Sequence, residues 1–253
     1  MDPMKSEKFL SYFYPLIIVF GFVCSVTSAV AWNHWKYVLD TCVEKNCGCI
    51  LNGVTTITYF TGGHVAYCHF ATFGLFISIA ASIIFGSYHV WRICMSSNSN
   101  RRTSRQSVRQ RSGEMIIMTT RSEIDDDEIS PSYWIPASFV SGFMVLYTLV
   151  HSIIYIDGAW QSCRQYRNEL IKYMHATGPL VAAVQGRISC IAVFDFMDYL
   201  FSDVSFDRRR IDRIDTSWCL NLAMLSSCAS FILWCGVFFI NVAQARRTNK
   251  LRT

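Results

Sequence analysis

Residues 70–90 read FATFGLFISIAASIIFGSYHV, a run without a single Asp, Glu, Lys or Arg. A helix needs about 20 predominantly apolar residues to cross a bilayer, so this run is long enough to form one span. Three more charge-free windows along the chain have the same character. We therefore predict four spans, at 9–31, 70–90, 134–156 and 218–242.

The composition also favours a membrane protein. Hydrophobic residues make up 52% of the chain and charged residues only 16%, against about 25% charged in an average soluble domain. The net charge of +5 is modest, and its basic residues are spread over several loops, which favours loops beside a membrane over a nucleic-acid groove. The expected fold is an all-α membrane protein, a four-helix transmembrane bundle with small disulfide-stapled extracellular loops.

The first span has an alternative interpretation as a cleaved signal peptide. Lys5 and Lys8 precede the apolar run, and the small residues Ser28 and Ala29 lie near its end. A signal peptide has an apolar core of about 7–15 residues, whereas this run extends over 9–31. The length favours an uncleaved span.

Two observations orient the spans. With both termini in the cytosol, the inner segments hold 13 Lys and Arg residues and the outer loops hold 10, a weak bias of the expected sign. Cysteines occur in even numbers in each outer loop and are absent between residues 95 and 133, and disulfides persist on the extracellular or lumenal side. We expect a plasma-membrane or secretory-pathway protein with a cytosolic N-terminus at 1–8, extracellular loops at 32–69 and 157–217, a cytosolic loop at 91–133 and a basic cytosolic tail at 243–253.

The first outer loop carries a hairpin signal. Asn52-Gly53 lies between β-branched and apolar residues, which is typical of a two-stranded turn. Four cysteines in this loop allow three pairings. We favour Cys49–Cys68, which would fasten the hairpin to the second span and leave Cys42 and Cys47 as the other pair.

Zinc binding is the alternative for this loop. Cys47 and Cys49 with His64 and His69 could be drawn as a site, but their spacing matches none of the usual structural zinc sites. The expected compartment also favours oxidation. Disulfides are the favoured interpretation, and we expect neither a metal ion nor a cofactor.

The second outer loop is expected to contain a short helix over Gln165–Ala176, ended by Gly178-Pro179. Cys163 and Cys190 would close this segment with one disulfide. Three carboxylates in the same loop could be imagined as acid–base groups, but nothing else there completes a site, so a solvated face is favoured. They are Asp195, Asp198 and Asp203.

The cytosolic loop has the composition of a disordered segment between 96 and 132. Ser104 and Ser112 follow arginines, and Ser122 precedes acidic residues, so all three are phosphorylation candidates. Cys94, next to the inner membrane edge, is a lipidation candidate. An unregulated loop and an inert thiol remain the alternatives.

Small residues recur every four positions along the second span, at Gly74, Ser78, Ser82 and Gly86. This spacing lets helices approach closely. We expect the stripe to pack within the bundle, with a partner protein's helix as the alternative.

The predicted spans contain no carboxylate, Lys or Arg, which weakens a pump or transporter interpretation. His151 is the one imidazole expected well inside a span; it could respond to pH or simply be hydrogen-bonded. The usual hydrolase, metalloprotease and nucleotide-binding motifs are absent, so we expect no enzyme.

The chain resembles the transmembrane protein 179 family of four-pass proteins. The resemblance is carried in order by Cys49-x-Leu51, Cys68-x-Phe70, Trp91-Arg92, Cys94, Cys163, Ile188-Ser189-Cys190, Ser217-Trp218 and Trp234. The chain departs from that family by adding Cys42 and Cys47 and by its longer Arg- and Ser-rich loop. The resemblance implies a four-pass membrane protein without established enzymatic activity, and it supplies no catalytic residue.

Claudin-like proteins are the structural rival, because they have a first-loop sheet and paired cysteines after tryptophans. Trp32, Trp35, Cys49 and Cys68 are similar to that arrangement, but the Gly-Leu-Trp motif is missing. The leading expectation is a non-enzymatic adaptor, adhesion component or auxiliary subunit that contacts lipid and other membrane proteins and binds no nucleic acid. A claudin-like junction or channel regulator and an oligomeric pore or transporter are the alternatives, and a homo-oligomer is compatible with each.

Overall fold

The computed structural model describes residues 3–39, 46–55, 60–103, 131–175, 177–187, 189–190, 192, 194–195 and 214–250. Within them it contains six helices and two strands. In chain order these are α1 (Pro3–Leu39), β1 (Cys49–Thr55), β2 (Phe60–Gly63), α2 (Val65–Phe73), α3 (Leu75–Thr103), α4 (Pro131–Tyr173), α5 (Pro179–Arg187) and α6 (Thr216–Lys250).

In the part of the chain that the structure describes, four helical stretches are long and apolar enough to cross a membrane. They are Lys5–Lys36, Val65–Cys94, Tyr133–Lys172 and Thr216–Arg247. Each contains one of the predicted spans and extends beyond it at both ends. We call the end of the bundle that carries β1, β2 and α5 the disulfide end, and the end where α1 begins and α6 ends the terminal end.

The exterior of the bundle is apolar. Large apolar side chains face outward on all four long helices, whereas the interior combines aromatic side chains such as Trp134, Trp234 and Tyr14 with a set of small polar ones. The outward set includes Leu16, Val19, Val26, Ile77, Ile83, Ile84, Phe139, Phe143, Leu146, Leu225, Ile232 and Phe239, and the buried set includes Ser25, Ser28, Ser78, Ser82, Ser141, Thr148, Ser226, Ser227, Ser230 and Asn241. Small and hydrogen-bonding residues between helices with an apolar exterior are typical of transmembrane bundles.

The second long stretch is divided between α2 and α3 at Gly74. The Tyr147 hydroxyl of α4 donates a hydrogen bond to the Gly74 carbonyl over 2.8 Å. A Cβ at Gly74 would lie 2.9 Å from the His151 ring. Gly74 keeps helical dihedral angles (φ −56°, ψ −40°), and its amide donates to the Phe70 carbonyl over 2.8 Å, so the helical path continues from α2 into α3 at the point where α4 approaches the backbone.

Helix α4 is longer than the sequence analysis predicts. It continues without a break from the predicted span through Tyr173. The helix expected over Gln165–Ala176 is therefore present as far as Tyr173, but the prediction that it is a short separate helix is wrong, because it is the end of α4. Buried residues recur along this extension at helical spacing, at Ala159, Cys163, Tyr166 and Leu170. This stripe explains the continuation, because it gives the helix an apolar face to pack after the long apolar run ends.

The two strands form an antiparallel sheet. Cys49 pairs with Gly63 and Thr55 with Phe60, with an irregularity between Cys49 and Val54. Asn52 and Gly53 therefore lie inside β1, and the prediction that they form the turn is wrong. Asn52 has a φ of 57°, a left-handed conformation that asparagine tolerates. It lies within the irregular part of the pairing between Cys49 and Val54.

Candidate functional site

The disulfide end is a stapled region, which we define as β1, β2, α5 and residues 157–173 of α4. A disulfide joins Cys49 of β1 to Cys68 of α2, with Cα atoms 5.6 Å apart. A second joins Cys163 of α4 to Cys190, with Cα atoms 5.4 Å apart. These are the pairings that the sequence favours. Cys47 is also disulfide-bonded, while Cys42 lies outside the described residues.

Disulfide formation removes the ligands that the zinc alternative would need. Cys49 is bonded to Cys68, and His64 caps α2, its Nδ1 accepting a hydrogen bond from the Ala66 amide over 3.1 Å. Within the described part of the chain, no group of three His, Cys, Asp or Glu side chains could hold a metal ion together.

An aromatic cluster forms the core of the stapled region. The ring of Phe194 lies 5.5 Å from that of Trp35 and 4.9 Å from that of Tyr166, and Phe60 of β2 lies 4.8 Å from Tyr166. Four parts of the chain thus meet in one packed cluster. Aromatic pairs at these distances stabilise beyond the burial of their area, so the cluster holds the stapled region against the end of α1.

The start of α6 is fastened to the same cluster. Both carboxylate oxygens of Asp195 accept backbone hydrogen bonds, from the Thr216 amide over 2.6 Å and the Ser217 amide over 3.0 Å. The Trp35 indole donates to the Thr216 hydroxyl over 2.9 Å. Burial raises the pKa of the Asp195 carboxyl, and the two amide hydrogen bonds act in the opposite direction. Asp195 therefore helps to cap α6 together with Asp215, whose Oδ1 accepts a hydrogen bond from the Trp218 amide over 2.7 Å. Asp198 and Asp203 lie outside the described residues.

The sheet is bonded directly to α4. The Gly53 amide donates to the Ser162 hydroxyl, and the Thr55 hydroxyl donates to the Gln165 carbonyl over 2.7 Å. Ser162 is completely buried. These bonds fasten the sheet to the α4 extension, while the disulfides fasten the sheet to α2 and α4 to Cys190.

The α4 extension presents one face to the outside. Exposed residues recur on it every three or four positions, which places them in a single line on the helix. They are Asp157, Trp160, Arg164, Asn168 and Lys172. Trp160 is 56% exposed. We call this line of side chains the α4 face; it combines an aromatic anchor with charges of both signs.

A buried chain of hydrogen bonds lies in the bundle beneath the stapled region. His151 is completely buried; its Nε2 lies 3.3 Å from the Ala71 carbonyl oxygen and its Nδ1 lies 3.0 Å from the Ser227 hydroxyl. The Ser152 hydroxyl lies 2.8 Å from that of Ser227. The sequence singles out His151, and the structure adds these partners.

The direction of this chain follows from its acceptor end. The Ala71 carbonyl can only accept, so in the neutral imidazole the proton lies on Nε2 and Nδ1 accepts from Ser227. Ser227 has then used its only proton, and Ser152 must donate to it. These hydrogen bonds join α2, α4 and α6, so their role is to hold the three helices together.

The small-residue stripe faces the bundle interior, and all four of its members are buried. The Trp234 indole of α6 donates to the Ser78 hydroxyl over 2.7 Å. A Cβ at Gly86 would lie 2.9 Å from the Tyr14 Cβ. The missing side chains thus let α4 pack closely at Gly74 and α1 at Gly86, so the stripe is covered by other helices of the same chain. No sequence signal pointed to Trp234 as its partner.

The terminal end holds further polar contacts that the sequence analysis missed. Glu7 forms an ion pair with Arg92 over 3.3 Å. His89, completely buried, has its Nε2 3.1 Å from the Tyr133 hydroxyl. These residues lie at or just beyond the ends of the predicted spans, so a search for charges inside the spans does not find them. They close the α1, α3 and α4 ends of the bundle together.

A small cavity lies between the bundle and the sheet, with room for about one water molecule. Ser28, Thr72 and Tyr155 contribute hydroxyls to its wall. The Ser28 hydroxyl donates to that of Tyr155 over 3.0 Å. A space of this size cannot take a substrate of several atoms.

Of the remaining predicted sites, the structure describes Cys94 but not the three phosphorylation candidates. Cys94 is a free and exposed thiol on α3, as a lipidation candidate must be. The phosphorylation candidates Ser104, Ser112 and Ser122 lie outside the described residues. Comparison with protein-family models, curated proteins and solved structures found no match to this chain.

Proposed function

We propose that this chain is a four-pass membrane protein of the cell surface or secretory pathway, and that it acts without catalysis by contacting other membrane proteins. The observation that carries the proposal is the stapled region. Two disulfides, the aromatic cluster and the Asp195 cap hold it rigid. A pre-organised surface loses little conformational entropy when a partner binds, which suits an adaptor, an adhesion component or an auxiliary subunit.

Two belts of aromatic residues support the membrane placement. Tyr67 and Trp218 are exposed at the disulfide end, and Tyr12 and Trp91 at the terminal end. Trp and Tyr prefer the headgroup level of a bilayer. Tyr67 and Trp91 are separated by about 36 Å of helix at 1.5 Å per residue, close to the thickness of a hydrocarbon core of about 30 Å plus part of its interfaces.

The disulfides support the orientation. They lie at one end of the bundle, and such bonds persist in oxidising compartments, so we place the disulfide end outside the cell or in the lumen and both termini in the cytosol. Cys94 tests this, because it is a free and exposed thiol near the terminal end. An impermeant maleimide should label it only after the cells are permeabilised.

A matched variant completes the orientation test. In a Cys94→Ser background, Asn168→Cys puts a thiol on the α4 face, and the same reagent should label it at the surface of intact cells. If the protein stays in internal membranes, microsomes replace cells and the two thiols should still differ in access. The reverse pattern would overturn the orientation.

The partner surface can be tested at the α4 face. A photo-crosslinking amino acid at Asn168 should give discrete protein adducts in intact cells. The same group at Ile84, which faces outward within the apolar band, is the matched control and should give lipid adducts. Adducts with no single protein at Asn168 would contradict the adaptor interpretation.

Two alternatives have their own support. The stapled sheet in the first connection favours a claudin-like junction or channel regulator, because claudin-like proteins also place a sheet there. The buried polar side chains favour an oligomeric pore or transporter, because polar side chains inside a membrane mark pathways. Flux of ions or solutes through liposomes containing only the purified protein would establish the pore and overturn the adaptor.

A further inference from the structure

The two ends of the bundle differ in net charge. Among residues whose side chains the structure describes, the terminal end has the basic Lys5, Lys8, Arg92, Arg246 and Arg247 and the acidic Glu7. The disulfide end has the basic Lys36, Arg164, Arg167 and Lys172 and the acidic Asp157, Glu169, Asp195 and Asp215. Five cations against one anion leave the terminal end at +4, whereas four against four leave the disulfide end neutral.

Four of the five described cations at the terminal end are exposed, namely Lys5, Lys8, Arg246 and Arg247. We call them the basic corner. The fifth, Arg92, forms an ion pair with Glu7 over 3.3 Å.

The basic corner lies on two adjacent helix ends. The Gln244 side-chain amide of α6 donates to the Ser6 hydroxyl of α1 over 2.6 Å. Ser6 lies between Lys5 and Lys8 in the chain, and Gln244 comes two residues before Arg246. This buried bond therefore brings the cations of α1 and α6 to the same part of the surface.

The basic corner adjoins an outward apolar surface. Phe9, Tyr12 and Leu16 follow Lys8 along α1 and are exposed, Tyr12 by 70%. A ligand that fits both features has an anionic head for the cations and an apolar chain for α1. Basic side chains at a membrane edge attract anionic headgroups, and long basic side chains reach the headgroup level from a helix end.

We infer that the basic corner binds the headgroup of an anionic phospholipid, with an acyl chain along Phe9, Tyr12 and Leu16 of α1. This inference rests on the membrane placement proposed above. It also gives the terminal end a preference for a leaflet rich in anionic lipid, by a route independent of the disulfides.

The test uses the full chain purified in detergent, with bound lipid counted by native mass spectrometry. The probes are short-chain phosphatidylserine, the matching phosphatidylcholine and inorganic phosphate. Each basic residue near an anionic surface is worth about a fivefold change in affinity. The Lys8→Gln/Arg246→Gln variant should therefore bind phosphatidylserine roughly 25-fold more weakly, whereas Lys8→Arg/Arg246→Lys should keep the affinity.

The matched control is Arg164→Gln/Lys172→Gln at the disulfide end, which should leave lipid binding unchanged. Equal binding of the two lipids, or an equal loss in the control, would overturn the lipid site. Full competition by inorganic phosphate would show a phosphate site that does not use the acyl chain, and would also overturn it. A wild-type protein absent from the membrane fraction would instead overturn the membrane placement itself.

Discussion

The Cys49–Cys68 disulfide allows a quantitative prediction about the stapled region. It closes a loop between residues 19 apart in the chain. In the chain-entropy account, a closed loop of about 20 residues stabilises the folded state by about 3.3 kcal/mol. We expect Cys49→Ser/Cys68→Ser to lower the free energy of opening β1 and β2 by about that amount.

Hydrogen exchange of the purified protein measures this directly. Amides of β1 and β2 that exchange through local opening should exchange roughly 250-fold faster in the variant, since each 1.4 kcal/mol is a factor of about ten. The control is Cys163→Ser/Cys190→Ser, whose chain separation of 27 predicts a loss of about 3.6 kcal/mol, centred on α5. If the first variant speeds exchange in β1 and β2 by less than about tenfold, or the control speeds it there more, the assignment of stability to this disulfide is refuted.

Three further predictions concern helix contacts, each measured as a shift in thermal unfolding of the purified protein. Ser227→Ala removes the hydroxyl that donates to His151 and should cost about 0.6–1.7 kcal/mol. The control Ser87→Ala, at an exposed hydroxyl bonded within its own helix, should cost almost nothing. Equal shifts would contradict a stabilising hydrogen bond between His151 and Ser227. Gly86→Leu should destabilise by about 1–3 kcal/mol through overpacking, while Ala80→Leu on the exposed face should stay within about 0.5 kcal/mol; a tolerated Gly86→Leu would refute the close approach of α1. Asp195→Ala should cost about 0.5–2 kcal/mol by removing one of the two carboxylates that cap α6, and Asp195→Asn less; no loss in the alanine variant would show that Asp215, which accepts from the Trp218 amide, is a sufficient cap.

The four long helices were predictable because their signal is local. A charge-free window of sufficient length is expected to form a helix in a bilayer, because a helix satisfies the hydrogen bonds of its backbone groups internally. The ends were harder to predict. Residues 157–173 of α4 are polar overall, and their buried stripe at helical spacing becomes informative only when the sheet and the aromatic cluster that cover it are known.

The hairpin shows how tertiary contacts override a local signal. Asn52-Gly53 is a strong turn pair in isolation. In the fold, the Gly53 amide bonds to Ser162, and a Cβ at Gly158 would lie 2.9 Å from the Asn52 side chain. A contact with α4, more than a hundred residues away in the chain, thus holds the pair inside a strand. No local pattern carries that information.

The interior polar partners were unpredictable for a similar reason. The sequence places His151 and Ser78 in spans but does not say which helix lies opposite. Ser227 and Trp234 become partners only through the packing of α6, and serine and tryptophan are common in such helices. The sequence therefore shows which residue types lie on a helix, but it does not show which residues of another helix they contact.

The continuous course of α4 has a consequence for how the two ends of the bundle are built. Its 43 residues form a helix about 65 Å long, with the stapled sheet bonded near one end and Tyr133 against His89 at the other. One helix thus supplies contacts that close both ends, so the outer sheet and the polar contacts at the terminal end share a single structural element.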